Sequence, residues 1–424
     1  MEKQTKIGTV CGDFDTFQLK SVLLKNDAGD WGSEPDDHAI GVIRSTNFNN
    51  DGKLDLSNIA YRTLSEKKFK EKKLFANDIL IERSGGSETQ PVGRVGFVTD
   101  EMADKDYSFA NFIQRISLND EINPKFVYFC LQQMYEMGVT AGMQSQTTGI
   151  RNLDWKQYVK VSLPKPSPNE QTAIANILSK VDEAIAAVQG SIAAAERLKK
   201  SLMQNLLTGR MKPDGTLCKE DEFYMDEKFG KVPMGWHWGK LSEVAEIIAG
   251  QSPQGEFYND EGVGTPMLNG PTEFTDEYPI PVQWTKKVTK LCKKGDILFT
   301  VRGSSTGRMN FADQEYCIGR GLAAIRPKHD GNIQFLYYTL TRISELILAE
   351  AKGAGTTFPN VSSGDLLKKV ILIPTSQNEI IQPIIEIACL IKSKQQKIAT
   401  LERLKKSLMQ NLLTGRVRIS YKNK

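Results

Sequence analysis

The stretch ERLKKSLMQNLLTGR occupies residues 196–210, and the identical fifteen residues return at 402–416. Low complexity does not explain the identity, because the stretch mixes charged, apolar, amide and hydroxyl residues. A chain that contains the same segment twice carries an internal duplication. The organisation of the whole chain therefore depends on how far this repeat extends.

Apolar residues upstream of each copy follow the spacing of a helix that packs along one stripe. Steps of four and three residues connect Ile174 to Ala195, and the second copy repeats them at every equivalent position except Lys394. This heptad spacing predicts two long helices that can form a coiled coil. After the heptad stretch we expect the apolar stripe to continue with a step of three residues, followed by steps of four. The leucines on those steps are our candidate partner-binding residues: Leu198, Leu202, Leu206, Leu404, Leu408 and Leu412.

The ends of the two helices are marked by sequence signals. Each helix follows prolines and an Asn-Glu pair, and each finishes at LLTGR, where glycine can adopt the left-handed capping conformation. The length of the two heptad stretches favours helices that pair with each other or dock on partner helices over two ordinary core helices. If they pair within the chain, antiparallel packing is expected because a globular segment separates them. The chain is thus predicted to divide into a globular segment (1–165), a helix with its LLTGR end (166–212), a second globular segment (213–375) and a helix with a basic tail (376–424).

The two globular segments share weaker likenesses. NDIL at 77–80 corresponds to GDIL at 295–298, and FVYFCL at 126–131 corresponds to FLYYTL at 335–340. Each segment also closes on an alternating, strand-like stretch before a proline. We therefore predict an α+β class, with the duplication extending over the whole chain.

Composition sets only wide limits on function. With 424 residues, 40% apolar and 25% charged, the chain is typical of a globular protein with about two to four domains. A net charge of +4 permits a polyanionic partner without requiring one. The six cysteines include no C-x-x-C pair, which argues against a zinc site or a disulfide framework. The sequence shows neither a signal peptide nor a membrane-length apolar run, so we expect a cytoplasmic protein.

One longer stretch carries a family resemblance. VPMGWHWGKLSEVAEIIAGQSPQGEFYN, at 232–259, contains a P-x-G-W-x-W-x-x-L opening followed by a G-x-S-P turn. With the later GDIL strand and the helix ending in LLTG, it resembles the specificity subunit of type I restriction-modification systems. The first half departs from that pattern, since FDTFQLKSVLL replaces the tryptophan-containing opening and NDIL replaces GDIL.

The resemblance implies an architecture and a role. We expect two α+β target recognition domains joined by two long helices, packed as an antiparallel coiled coil with a pseudo-twofold internal repeat. Such a subunit has no catalysis and no cofactor. It recognises a bipartite double-stranded DNA site and holds two copies of a methyltransferase subunit, to which restriction (motor-nuclease) subunits are added. Two equivalent docking sites for one partner would explain the repeated helix.

A search for catalytic motifs supports a non-enzymatic role. NPKF at 123–126 departs from the loop of adenine methyltransferases at Lys125 and is better explained as a turn entering a helix. GSSTGR at 303–308 lacks the lysine and the spacing of a phosphate-binding loop. None of the three histidines has a Cys or His partner nearby in the sequence, and EPDDHA at 34–39, which could chelate a cation, is better explained as a polar surface loop. We therefore predict no catalytic residue and no metal site.

Polar loops recur at matching places in the two halves and suit DNA. Arginine, asparagine and glutamine recognise base edges, whereas short hydroxyls contact phosphate. In the first half the candidates are Arg44, Ser45, Asn47, Arg83, Ser84, Ser87, Gln90, Gln144, Gln146, Thr147, Thr148 and Arg151. In the second half they are Gln251, Ser252, Asn269, Arg302, Ser304, Ser305, Arg308, Thr356, Thr357 and Asn360.

Two other classes of function stay open from the sequence. Each loop alone is equally compatible with a solvated turn, and the chain could be a coiled-coil scaffold whose globular domains bind protein. A methyltransferase or nuclease acting alone is the other class, against which the missing motifs argue. The basic helix ends, such as Lys199 and Lys405, could contact phosphate, an acidic partner or only solvent.

Overall fold

The computed structural model describes residues 3–87, 89–147, 150–329, 331–353 and 359–419. The chain divides into two compact units. The first unit contains residues 1–189 and 396–424, and the second contains residues 190–395. Each unit therefore combines one globular segment with parts of both long helices.

The first unit is a mixed α and β structure. Its strands are β1 (Lys3–Thr5), β2 (Gly8–Val10), β3 (Asp15–Gln18), β4 (Leu23–Ala28), β5 (Ile40–Ile43), β6 (Ala60–Arg62), β7 (Ile79–Glu82), β8 (Ser84–Gly85), β9 (Val95–Phe97), β10 (Tyr107–Phe109), β11 (Ile113–Leu118), β12 (Gln144–Thr147), β13 (Ile150–Leu153) and β14 (Ser162–Lys165). Its helices are α1 (Glu66–Lys72), α2 (Asp100–Ala103), α3 (Pro124–Glu136), α4 (Trp155–Tyr158) and the start of α5 (Pro168–Leu206), with 3-10 turns at Leu19–Val22, Ser45–Asn47 and Val139–Met143.

The second unit repeats this organisation. Its strands are β15 (Phe223–Asp226), β16 (Gly230–Pro233), β17 (His237–Lys240), β18 (Ala245–Ala249), β19 (Tyr258–Asn259), β20 (Thr265–Leu268), β21 (Gln283–Thr285), β22 (Leu291–Cys292), β23 (Ile297–Thr300), β24 (Met309–Phe311), β25 (Tyr316–Ile318), β26 (Leu322–Pro327) and β27 (Val370–Ile373). Its helices are α6 (Leu241–Val244), α7 (Ile333–Gly353), α8 (Ser363–Leu367) and the start of α9 (Gln377–Leu412), with 3-10 turns at Glu220–Glu222, Gly255–Phe257 and Pro271–Glu273.

The duplication is visible in the sheets. A four-stranded antiparallel sheet has the order β4-β11-β7-β9 in the first unit and β18-β26-β23-β24 in the second. The registers match as well, because Ile79 pairs with Ile116 and Ile297 pairs with Ile325. The NDIL and GDIL stretches therefore form the same buried strand, as their likeness predicted. Both units also pair two parallel strands, β5 with β10 and β20 with β25.

Within each unit the start of one long helix packs beside the end of the other. In the first unit Leu178 of α5 shares a core with Met409 and Leu412 of α9. In the second unit Leu206 of α5 shares a core with Ile380 and Ile384 of α9. Burial of these apolar side chains is the dominant favourable term that holds the helix ends to the globular segments.

The predicted three-residue step at the end of the helical stripe is wrong. Leu198 and Leu404 are 48% and 46% exposed, whereas Lys405 is only 8% exposed and Lys199 is half-buried. From Ala195 the buried stripe thus continues through Lys199 to Leu202, which preserves the alternation of four and three. A lysine can occupy such a position because its aliphatic stem packs against apolar neighbours.

The LLTGR ends adopt the predicted capping conformation. Gly209 and Gly415 have φ values of 64° and 70°, and their N–H groups donate to the carbonyls of Leu206 and Leu412. A β-carbon on Gly209 would lie 2.2 Å from Pro233. Glycine is therefore required here both by backbone conformation and by space.

Candidate nucleic-acid interface

A pocket of about 370 Å³ in the first unit gathers three loops, and we call it the first pocket. Trp31 follows β4, Arg44 and Ser45 follow β5, and Asn111 and Phe112 lie in the turn between β10 and β11. One face of Trp31 is covered by the Arg62 guanidinium, 4.5 Å from the ring centre. Nε of Arg44 is buried without a hydrogen-bond partner among the described residues. The first pocket thus combines aromatic surface with the partly exposed side chain of a cationic residue, Arg44.

The loop that carries Arg44 is stabilised by a buried arginine beneath it, Arg94. Arg94 and Glu82 form a buried ion pair with nitrogen-to-oxygen distances of 2.7 and 2.8 Å. The Arg94 guanidinium also donates to the backbone carbonyls of Ser45 and Phe48. Burial is the largest single influence and would lower the pKa of Arg94, but the hydrogen bond to Glu82 and the negative charge of that carboxylate together outweigh it, so this pKa is raised. The arginine remains charged and fixes the loop.

Asn47 has a structural role in the same loop, which corrects its prediction as a DNA contact. Its side chain is 2% exposed. Its Oδ1 accepts from the N–H of Arg44 at 2.9 Å, and its Nδ2 donates to the carbonyl of Asp55 at 2.7 Å. All of its main polar capacity is used inside the protein, so Asn47 presents no group to a ligand.

A second group of candidates lies on β8 and the β12–β13 hairpin, beside the first pocket. The Ser45 hydroxyl donates to the Ser84 carbonyl at 3.3 Å, and the Ser84 hydroxyl donates to Oδ1 of Asn152 at 2.7 Å. Arg83 and Ser84 both donate their backbone N–H to the carbonyl of Phe112. The structure therefore brings Arg44, Ser45, Arg83 and Ser84 together, although the sequence separates them by about forty positions.

The remaining candidates of the first unit occupy the neighbouring turns. Ser87 is exposed and accepts from the N–H of Gln90, and the Gln90 amide donates to Oδ1 of Asn50. Gln144 donates to the carbonyl of Thr140, and Arg151 lies on β13 opposite Gly85. Gln146 and Thr147 are described only as backbone of β12, and Thr148 lies outside the described residues.

A pocket of about 760 Å³ occupies the corresponding place in the second unit, and we call it the second pocket. Gln251 and Ser252 follow β18, Asn269 follows β20, and Arg320 lies in the turn between β25 and β26. Arg302, which follows β23, completes the polar lining. The Ser252 hydroxyl accepts from the N–H of Arg320 at 3.1 Å, and the Asn269 amide donates to Gln283 at 2.9 Å. Four of the predicted residues thus converge only after folding, two from the loop after β18 and one from each of the loops after β20 and β23.

The other candidates of the second unit surround Arg302. Arg302 forms an isolated backbone bridge with Asn360, and both residues are exposed. Exposed Ser304 and half-buried Ser305 lie in the turn that leads to Arg308, whose guanidinium donates to the carbonyl of Phe274 at 3.1 Å. Thr356 and Thr357 lie outside the described residues.

The two pockets are equivalent in the fold and different in chemistry. Gly29 and Gly250 mark the match, because a β-carbon on Gly29 would lie 2.0 Å from the carbonyl of Phe109 at the end of β10, and one on Gly250 would lie 2.2 Å from the carbonyl of Gly319 just after β25. From these anchors Trp31 corresponds to Ser252. The turns place Asn111 in the position of Arg320. Aromatic surface in the first unit is thus replaced by polar and cationic surface in the second.

Sequence reasoning missed the aromatic and arginine members of these pockets. Trp31, Phe112, Tyr258 and Arg320 all line a pocket, but none belongs to the polar stretches from which the candidate contacts were chosen. Aligning the two halves on Gly29 and Gly250 would have found them, because that match assigns Phe112 and Arg320 to the same turn. Within the described residues, no group of His, Cys, Asp and Glu could hold a metal ion.

Comparison with known proteins decides the family. The model for the type I restriction modification DNA specificity domain matches residues 13–197 and again residues 233–413. The chain belongs to this family. As a specificity subunit it is the DNA-recognition component of a type I system and is non-catalytic. The expectation drawn from the tryptophan-containing stretch and the LLTGR repeat is confirmed at this level.

Curated relatives and solved structures agree with this assignment. The specificity subunit is 28% identical over 423 residues to the putative type I restriction enzyme MjaX specificity subunit of Methanocaldococcus jannaschii, covering 98% of this chain and 96% of that one. It is 24% identical to the MjaIX specificity subunit of the same organism, over 86% of this chain and 85% of the relative. The S subunit from M. genitalium has the same fold, with a TM-score of 0.58, 16% identity and coverage of 97% and 99%.

The helix leucines of the specificity subunit differ in what they offer to another protein. Leu206 and Leu412 are buried in the cores of their own units, which corrects their prediction as partner-binding residues. Leu202 and Leu408 are partly buried against the same cores. Leu198 and Leu404 remain exposed. No helix within the described residues is long and apolar enough to cross a membrane.

Proposed function

We propose that this specificity subunit recognises a bipartite DNA site, one part with each unit. The observation that carries the proposal is the pair of equivalent pockets with different linings. A duplicated scaffold keeps the geometry of recognition, and different side chains at equivalent places allow different base pairs to be bound. The four segments predicted from the sequence are retained as the limits of the two recognition domains and the two helices.

The lining residues suit direct contact with DNA. Arg302 and Arg320 of the second pocket carry the guanidinium group that forms paired hydrogen bonds with guanine, and Asn269 carries the amide that can do so with adenine. The first pocket adds apolar surface from Trp31 and Phe112, which can contact a thymine methyl group or the face of a base. Serines and backbone N–H groups on the adjoining turns would contact phosphates.

We further propose that the repeated helix ends hold two copies of a methyltransferase subunit, to which restriction subunits are added in the full complex. The support is the identity of residues 196–210 and 402–416 together with the exposure of Leu198 and Leu404 on them. The helices would pair as an antiparallel coiled coil, giving a pseudo-twofold subunit with two like docking sites. Because its ligand is DNA, we place the protein in the cytoplasm.

An exchange of recognition segments tests the bipartite proposal. Residues 213–373 are replaced by the matching segment of a relative, the intact system is expressed in cells, and the methylated motif is determined by sequencing. We expect one half of the motif to change and the other half to stay. The matched control exchanges residues 1–165, which should change only the other half. A motif that changes in both halves, or in neither, contradicts the proposal, and failure to bind any DNA at low salt would favour the protein-binding scaffold.

A further inference from the structure

Another pocket of the second unit lies away from the recognition loops and from the second pocket, and we call it the basic pocket. Its volume is about 680 Å³. The repeat on α5 contributes Glu196, Lys199 and Lys200, α7 contributes Arg342 and Glu345, and α9 contributes Gln395. The wall of the pocket therefore includes the first copy of the repeated fifteen-residue segment.

Two cations of the basic pocket are partly buried and lack an acidic partner. Nε of Arg342 is inaccessible to solvent and forms no hydrogen bond with any described residue. The ammonium group of Lys199 lies 5.1 Å from the centre of the Tyr338 ring and forms no ion pair with the described part of the chain. Burial lowers the pKa of both Arg342 and Lys199, and the charge of Glu196 offsets this only in part for Lys199. A buried cation without a counter-charge is energetically unfavourable, and an anion would relieve it.

The first unit shows how the equivalent place is completed. Lys405 corresponds to Lys199, and its ammonium group lies 5.9 Å from the ring centre of Phe129, the counterpart of Tyr338. Here, however, Oδ1 of Asp182 lies 2.7 Å from the lysine nitrogen.

The residues that complete this place differ between the units at two positions. Ala388 stands at the position equivalent to Asp182 in the second unit, and Gln133 stands at the position equivalent to Arg342 in the first. The first unit is therefore neutral at this place, with one lysine and one carboxylate. The second unit has two cations and lacks the carboxylate.

We propose that the basic pocket binds an aspartate or glutamate side chain of a partner protein. The carboxylate of Asp182 in the first unit is the internal precedent for the occupant. The inference rests on the proposed function, because the partner would be the methyltransferase subunit that docks on the repeated helix. It adds that the two docking sites are unequal, since only the second unit receives a carboxylate from outside.

A single carboxylate fits this pocket better than a nucleic-acid backbone does. Glu196 and Glu345 are exposed at its lining and would repel a run of phosphates, whereas one carboxylate can lie between Lys199 and Arg342. Counting Lys200 with these residues, three positive and two negative side chains line the pocket. That balance favours one negative group rather than a polyanion.

The test supplies the missing carboxylate from within the chain. In the full-length protein, Ala388→Asp places an acid where the first unit has Asp182, and Ala388→Asn has the same size without the charge. Binding of the purified methyltransferase subunit of the same system is measured by calorimetry. We expect A388D to weaken one of two binding events at least tenfold and A388N to leave both near the wild-type affinity.

Two further variants separate charge from folding. Arg342→Gln installs the side chain of the first unit and should weaken the same binding event, while Lys180→Met removes an exposed charge outside the pocket and should not. Thermal unfolding of the free chain checks integrity, and A388D should melt at a higher temperature than A388N because its new carboxylate pairs with Lys199.

The possible outcomes are distinct. Equal binding by A388D and wild type, or equal losses in A388D and A388N, would overturn the basic pocket as a carboxylate site, even with an unchanged methylated motif. Wild-type chain that binds no methyltransferase subunit at all would overturn the proposed docking function together with this inference. Weaker binding of the methyltransferase subunit in A388D and R342Q alone supports both the docking function and the carboxylate site.

Discussion

The two units have an arginine at equivalent points of their four-stranded sheets, but only one of the two arginines is paired with a carboxylate within the described part of the chain. Arg94 lies just before β9 opposite Glu82, and Arg308 lies just before β24 opposite Thr300. Both guanidinium groups donate to the backbone carbonyl of an equivalent phenylalanine, Phe48 or Phe274. Arg94 is closed off by the carboxylate of Glu82, whereas Arg308 is exposed.

The same difference recurs at the helix ends. Lys405 is paired with Asp182, and Lys199 has Ala388 at the equivalent position. In both comparisons the first unit supplies an internal carboxylate and the second unit does not. Duplication has therefore preserved the positions of the cations while their counter-charges diverged, which leaves the second unit with cations available to external anions.

Substituting the buried leucines at the two helix ends should destabilise the two units by similar amounts, because their cores are alike. Leu206→Asp in the second unit and Leu412→Asp in the first should each destabilise the affected unit by more than about 4 kcal/mol, because each loses a buried side chain and gains an unpaired buried charge. Hydrogen exchange followed by mass spectrometry reports the two units separately. A large loss in only one of the two variants would break the equivalence.

The exposed leucines provide the control for this pair. Leu198→Asp and Leu404→Asp should change the free energy of unfolding by less than about 0.5 kcal/mol, since both positions are at the surface. They should nevertheless weaken binding of the methyltransferase subunit if the repeat is its docking site. Normal partner binding by both variants would remove these leucines from the interface.

The repeat and the apolar spacing were sufficient to predict the long helices, their ends and the α+β class. They did not predict that Lys199 and Lys405 belong to the buried stripe, because a search for apolar residues excludes lysine. The aliphatic stem of each lysine is nevertheless buried, and its charge is paired or faces an aromatic ring. The choice of Leu198 over Lys199 shifted the stripe by one residue. Only the packing of α3 and α7 against the helices decides between the two.

The recognition loops were predictable in place more than in role. Ser252, Asn269 and Arg302 do meet in one pocket, but Asn47 is consumed by hydrogen bonds inside its own loop. Polar residues in a loop can support the loop or contact a ligand, and the sequence is the same in both cases. Trp31 and Arg320 escaped notice for the converse reason, since single residues from distant loops form no local pattern.

Breaking the internal pair of the first unit should have the next largest effect. Glu82→Gln leaves the buried Arg94 charge without its partner and should destabilise the first unit by about 3 kcal/mol. Thr300→Ala at the equivalent position of the second unit should cost less than about 1 kcal/mol, because its buried hydroxyl has no hydrogen-bond partner in the described structure. Urea unfolding monitored by hydrogen exchange in each unit measures both. Comparable losses would show that the carboxylate does not distinguish the units.

The smallest effect should come from transferring the carboxylate to the second unit. Thr300→Glu reproduces Glu82 opposite Arg308 and should pair with that guanidinium. If Arg308 contacts a DNA phosphate, the pairing removes one counterion-releasing contact, so the slope of log affinity against log salt should become shallower by about 0.9. At any one salt concentration the change in binding free energy should be less than about 1 kcal/mol, as is typical of exposed charge pairs.

Thr300→Gln is the control for Thr300→Glu, because it has nearly the same shape without the charge and should keep the wild-type slope. Arg308→Ala should give the same change in slope as Thr300→Glu, and the double variant should change it no further, since both substitutions remove one contact. An additive effect in the double variant would show that the glutamate repels DNA by itself rather than by occupying Arg308. In that case the exposed arginine of the second unit would be a loop support like Arg94, and the difference between the units would be confined to the helix ends.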